Sequence, residues 1–238
     1  MNLPTKIDPC PIIDAIFEVR FTSKMPSSAI FGVIYGQLSS KYPDVHKLPL
    51  SQMPEQLRET DPNLMYKPIY KITDGQFIVQ IGPKVITISS PPEYIGWKEY
   101  STRIYNCLKS LQQINVVDKV IRIGLRYMNF FDYNIFDDIK MGVMFDSKPI
   151  TSDNTQIRTE LKELSFNCTL QVANKVEISK ENIKRNGSII DIDTFRSERL
   201  GKFFSQYKEI IEEAHIAEKT TFFRLFTEEG IQKYNPQY

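Results

Sequence analysis

Histidine is nearly absent from this 238-residue chain, which holds only His46 and His215. That excludes a zinc centre built from several histidines, and a serine triad would have to recruit one of these two without a GxSxG elbow. Cysteine is scarce as well. Cys10, Cys107 and Cys168 are odd in number, far apart and without a CxxC pair, which speaks for buried free thiols in a reducing cytosol rather than a disulfide framework or a zinc ribbon. Neither GxGxxG nor GxxxxGK[ST] occurs, so the usual nucleotide-binding loops lack their signature. An excess of charge is missing too: 30 basic residues stand against 29 acidic ones, and a net charge of +1 sets up no global field for a nucleic-acid backbone. No apolar run approaches the roughly 18 residues of a membrane span, and the first 21 residues, with three acidic side chains, are unlike a signal peptide. The expected location is the cytoplasm.

What is present suffices for a core, since 41% of the residues are hydrophobic and 12% aromatic. Residues 12–21 alternate, with Ile13, Ala15, Phe17, Val19 and Phe21 on one side and Asp14, Glu18 and Arg20 on the other, as in a half-buried strand. Helical spacing follows over 27–41. Residues 43–68, with prolines at 43, 49, 54, 62 and 68, read as an irregular surface crossing or cover. A three-stranded meander comes next, turned at Asp74-Gly75 and at Gly82-Pro83-Lys84. A helix over 96–113 carries the stripe Trp97, Tyr100, Ile104, Leu108 and Leu111.

The second half repeats this grammar. A lone strand over 120–131 leads through an acidic connection to an alternating strand, Leu164 to Val172, with turns expected at Ala173-Asn174-Lys175 and Asn186-Gly187. A long helix is expected from about 197 to 219. The lone strands can be superposed, IFEVRF on RIGLRY, matching Arg20 with Arg126 and Phe21 with Tyr127. The expected fold is therefore α+β: one domain over 1–238 whose curved antiparallel sheet comes from two similar halves, about 11–115 and 119–219. Each half supplies a strand, a connection, a three-stranded meander and a helix, with the helices covering one face and 220–238 as a C-terminal extension.

The segments Pro11-Ile12-Ile13-Asp14-Ala15-Ile16-Phe17-Glu18-Val19-Arg20-Phe21, Tyr94-Ile95-Gly96-Trp97 and Arg122-Ile123-Gly124-Leu125-Arg126-Tyr127-Met128-Asn129 together resemble a sporadically distributed family of uncharacterised prokaryotic proteins of about this size. The likeness spans most of the chain, extending to Asp191-Ile192-Asp193, His215 and Phe223 to Glu229. It implies no particular reaction. It implies a bacterial or archaeal setting, an accessory gene carried on mobile elements or beside defence genes, and key positions that include Tyr127 and Asn129.

Arg122 and Arg126 share a strand face about 13 Å apart, with Gly124 between them. Glu18 and Arg20 share a face of the first strand. If the lone strands are neighbours, these four charges form a patch: either an ion-pair ladder, with one arginine held by Glu18 and the other by a helix carboxylate such as Glu99, or a pocket for an anionic ligand. The expected function is a non-enzymatic binding or sensor module for an anionic small molecule or a partner protein, using Glu18, Arg20, Arg122, Arg126, Tyr127 and Asn129, with no cofactor and no metal; a homodimer is a further possibility. The rival from another class is a metal-assisted hydrolase or transferase using Glu18, or the pair Asp191 and Asp193, which lie about 7 Å apart on one strand face. Pairing of those aspartates with Arg196 or Arg199 is the plainer reading, and His215 reads as a hydrogen-bonded core or rim residue. Lys180, Lys184 and Arg185, interrupted by Glu181, read as the solvated tip of a hairpin.

Overall fold

A computed structural model of the chain describes residues 3–91, 93–151, 154–180 and 183–238. In chain order the elements are β1 (Ile12–Thr22), α1 (Ser27–Leu38), β2 (Asp44–Lys47), α2 (Glu55–Thr60), β3 (Tyr70–Thr73), β4 (Ile78–Gly82), β5 (Val85–Ser89), α3 (Trp97–Ile114) and β6 (Lys119–Phe131). There follow β7 (Met144–Phe145), β8 (Lys148–Pro149), β9 (Gln156–Glu163), β10 (Phe166–Lys180), β11 (Ile183–Arg196), α4 (Phe203–Leu225) and α5 (Glu228–Gln232). The fold is α+β, with a nine-stranded antiparallel sheet in the order β2-β3-β4-β5-β1-β6-β11-β10-β9, while β7 and β8 form a small hairpin of their own. No helix among the described residues is long and apolar enough to cross a membrane.

The chain divides into two compact units. One, the meander unit, comprises Ala15–Leu125 and Phe195–Glu212. Its β1 obeys the period of two: Ala15, Phe17, Val19 and Phe21 are buried. Antiparallel register sets Phe17 opposite Ile88 and Val19 opposite Ile86, so apolar cross-strand pairs form on one face. Helix α3 lies over that face through its buried Tyr100, Ile104, Leu108 and Leu111. Tyr100 enters the sheet, its hydroxyl 2.7 Å from the Ile88 carbonyl and 3.0 Å from that of Ala15. Each large apolar side chain buried here contributes on the order of 2 kcal/mol. At the Asp74-Gly75 turn, Gly75 has φ +89° and Asp74 Oδ1 accepts the N–H groups of Gln76 and Phe77.

The 43–68 crossing is not irregular as expected: it contains β2, a 3₁₀ turn over Pro49–Gln52 and α2. These elements are four to six residues long, too short for a period to declare itself, and Pro49 and Pro54 sit at helix starts, where the lost N–H is harmless.

The terminal unit comprises Met1–Asp14, Arg126–Thr194 and Glu213–Tyr238. Its core joins Phe131 of β6, Cys168, Leu170 and Val172 of β10, and Ile190 and Ile192 of β11 to Phe222, Leu225 and Phe226 at the end of α4 and beyond. The meander expected here is present with shifted boundaries. Its first strand is β9, and the turn into β10 is Leu164-Ser165, with Leu164 at φ 52° and exposed rather than part of the buried alternation. Ala173-Asn174-Lys175 is not a turn; β10 runs through it, with Lys175 at φ 52° and Asn174 tied by its side chain to the Thr155 N–H and the Thr151 carbonyl. Nor do Asn186 and Gly187 turn the chain. They lie inside β11, where a Cβ at 187 would overlap the Phe131 carbonyl oxygen; glycine serves close backbone approach there.

The helix limits also shift. The first helix stops at Leu38, the second spans Trp97–Ile114, and α4 starts at Phe203, beyond Arg199 at φ 56°, is kinked at Gln206, and continues six residues past Lys219. Cys107 and Cys168 are buried, but Cys10 is exposed, contrary to expectation.

Candidate functional site

Strand alternation places Glu18 and Arg20 together on the polar side of β1. Arg20 Nε donates to Glu18 Oε1 at 2.8 Å and its Nη2 lies 3.5 Å from Oε2, a two-point grip. Arg122 of β6 reaches the same carboxylate, Nη1 to Oε1 at 2.5 Å. Each guanidinium also lies over an aromatic ring: Arg20 Cζ is 5.0 Å from the centroid of Tyr66, and Arg122 Cζ is 4.5 Å from that of Phe195. Three of the expected residues are thus brought together within the meander unit, with Glu18 as their common anchor.

Arg126 is not part of this cluster. It belongs to the terminal unit, where Nε donates to Asp191 Oδ1 at 2.7 Å and Nη2 to Oδ2 at 2.5 Å. That hydrogen-bonded acid, with Asp193 and Asp14 at longer range, raises the guanidinium pKa against the opposing effect of burial. The partner is neither Glu99 nor another helix acid, and Asp191 pairs with Arg126 rather than with Arg196 or Arg199. Both oxygens of Asp191 are therefore engaged. Among the described residues, no group of three His, Cys, Asp or Glu is placed to hold a metal ion.

Tyr127 and Asn129 alternate with Arg126 and turn inward. They are 2% and 3% exposed, with Asn129 Nδ2 donating to the Ile190 carbonyl at 3.2 Å. A ligand lying on Arg126 does not meet them. Gly124 is buried and forms no open floor. His215 stacks obliquely 6.1 Å from the Tyr127 ring, and burial drives its pKa down to about 3, so the imidazole is neutral at neutral pH. Near it in sequence, Glu218 is 5% exposed, and burial pushes its carboxyl up to about 8 against the opposing charge of Lys219. Burial likewise raises the Cys168 thiol, which lies 3.3 Å from Thr194 Oγ1, so it is no ready nucleophile.

Several features escaped the sequence. Tyr66 comes from the proline-rich crossing, where no periodicity marks an inward-turned ring. Phe195 was within reach: it continues the face of Asp191 and Asp193 by two residues. The Tyr94 to Trp97 motif proves architectural, with Gly96 at φ +91° opening α3 and Trp97 Nε1 donating to Glu212 at 2.8 Å; Tyr105 donates to the same carboxylate at 2.6 Å. Lys184 pairs with Glu177 and Arg185 with Asp132, while Glu181 lies outside the described residues. The meander unit also has a concavity of about 620 Å³ lined by Gln112, Lys119, Leu200, Lys202 and Phe203, among others.

No protein-family model matches the chain, and no curated protein matches it.

Proposed function

We propose that the protein is a non-enzymatic binding or sensor module for an anion, either a small carboxylate or phosphate compound or an acidic segment of a partner protein, taken up at Arg20 on the Glu18 cluster. The observation that carries this reading is the posture of Arg20. Glu18 engages its Nε and Nη2 edge, the Tyr66 ring centroid lies 5.0 Å from its Cζ, and the side chain remains 33% exposed, so the edge that Glu18 does not engage is the one an anion can approach. Glu18 orients the fork, and Arg122 holds Glu18.

Pre-orientation matters because an anion then meets donors whose rotamer entropy is already spent. A metal-assisted hydrolase or transferase draws less support, because Asp191 gives both oxygens to Arg126. Native mass spectrometry of protein purified from its own host, beside an Arg20→Ala variant from the same host, tests the reading. A copurifying acidic compound or partner that the variant loses supports it. A bound species retained in full by Arg20→Ala overturns it, as does saturation with inorganic phosphate and citrate that leaves the Arg20 Nε–H resonance unmoved.

A further inference from the structure

Strand β9 ends the sheet, and among the described residues no strand pairs with its outer edge. An eight-residue edge with open N–H and C=O groups is a template for another strand. Which groups point outward follows from the turn. The Leu164-Ser165 loop has two residues, and Glu163 faces Phe166 across it. In such a hairpin the pair flanking the loop exchanges both hydrogen bonds, and every second pair does the same. Glu163, Leu161, Thr159 and Ile157 therefore direct their backbone groups to β10, whereas Gln156, Arg158, Glu160 and Lys162 direct theirs to the free edge.

We propose that this edge pairs with the same edge of a second copy of the chain, antiparallel about a twofold axis through Thr159. A symmetric antiparallel pairing must set outward-directed residues against one another, so the axis passes through a residue and not between two. With the axis at Arg158, that arginine faces itself. With the axis at Glu160, that acid faces itself and Arg158 faces Lys162. With the axis at Thr159, Arg158 faces Glu160 of the second copy, Glu160 faces its Arg158, and Gln156 faces Lys162. On the other side of the ribbon Ile157, which packs on the terminal unit's core, meets Leu161, which is 41% exposed in the single chain. Opposite charges thus alternate along one face while apolar pairs close the other.

Among the described residues, Arg158 and Glu160 have no stronger ion pair to give up. Arg158 and Glu160 are 59% and 65% exposed, and their contact along the strand is 3.8 Å, a loose pair that can re-partner across the axis. Charged residues on an edge commonly deter association. Here their signs are arranged so that this register suits a copy of the same strand and the registers on either side do not; centring on Leu161 would set Glu160 against Lys162 but leaves only Thr159–Glu163 paired. Pairing over so short a segment gives a small interface, and hence a weak dimer, with a dissociation constant in roughly the micromolar range.

Analytical ultracentrifugation of the full chain between about 0.5 μM and 1 mM brackets that range. The wild type is expected to dimerise. Arg158→Glu sets two acids against Glu160, and Glu160→Arg sets two arginines against Arg158; each is expected to weaken the dimer at least about tenfold. Both sites are exposed, so the thermal midpoint should barely move. The doubly exchanged chain, Arg158→Glu with Glu160→Arg, restores opposite charges and is expected to dimerise again. An equimolar mixture of the two single variants should form the heterodimer in preference to either homodimer. A wild-type chain that stays monomeric to about 1 mM overturns the proposal. So does a dimer whose constant ignores the single exchanges, or one that neither the double exchange nor the mixture restores.

Discussion

Arg20 and Arg126 hold matching places in the strands IFEVRF and RIGLRY, and each offers the same Nε and Nη2 edge to a carboxylate. The acids differ in origin. Glu18 stands two residues from Arg20 on the same strand, so that pairing needs no correct neighbour; Asp191 comes from β11, so its pairing depends on the register of β11 against β6. The loads differ too, because Glu18 also anchors Arg122, whose side chain is only 15% exposed. A local pair can thus become a hub, whereas a cross-strand pair acts as a check on register. The terminal unit adds a second contrast, since it keeps His215 and Glu218 in surroundings that hold both uncharged at neutral pH.

The hub should be the costlier loss. Glu18→Gln removes the acid from two guanidiniums and is expected to cost about 2–3 kcal/mol, lowering the thermal midpoint by roughly 5–10 °C. Asp191→Asn strands one guanidinium that is 42% exposed and can rehydrate, so about 1–2 kcal/mol is expected in denaturant titrations. Equal costs for the two would remove the distinction between hub and check.

Glu218 sharpens the second contrast. Its carboxyl stays protonated to about pH 8 in the folded chain but ionises near 4.5 when unfolded, so the folded state holds the extra proton between these values and stability falls as pH rises through them. His215 acts the other way, titrating at about 3 folded and 6.5 unfolded, so its contribution is lost as pH falls below 6.5. From pH 6.5 to 8 Glu218 sets the slope, offset in part by the upper tail of the His215 titration near pH 6.5. Wild-type protein should lose about 1 kcal/mol over that interval, and Glu218→Gln should flatten the loss. The smallest change is expected from Arg20→Ala, under about 1 kcal/mol by thermal melt, because its ion pair is partly solvated and Arg122 still neutralises Glu18. A larger loss would make Arg20 a structural residue rather than a donor kept for a ligand.

Sequence pattern exposed what obeys a period or a turn rule. The buried side of β1, the meander over β3 to β5 and the stripe on α3 all follow from spacing alone. Strand β9 was missed because an edge strand has a solvated side and a half-solvated one, so QIRTELKE lacks the alternation that marks a core strand. The Asn-Gly rule failed in β11 because the same dipeptide that bends a hairpin also fits where two backbones touch. At the site, alternation put Glu18 beside Arg20 but could not say which acid Arg126 would meet. That choice depends on the pairing of strands far apart in the chain. Tyr127 and Asn129 were misplaced because motif membership does not encode the side of the strand a residue faces.

Two kinds of glycine in this molecule should respond differently to random replacement. At 187 the obstacle is space, with the Phe131 carbonyl where a Cβ would go and Phe130 Cζ 2.8 Å from it, so a saturation library selected for folding should return glycine alone. At 75 nothing lies within 4 Å and only the positive φ resists, so asparagine and aspartate should survive beside glycine while valine and isoleucine disappear; at 96 the space is equally open, but φ 91° with ψ 156° is backbone that only glycine enters readily, so glycine should dominate there too.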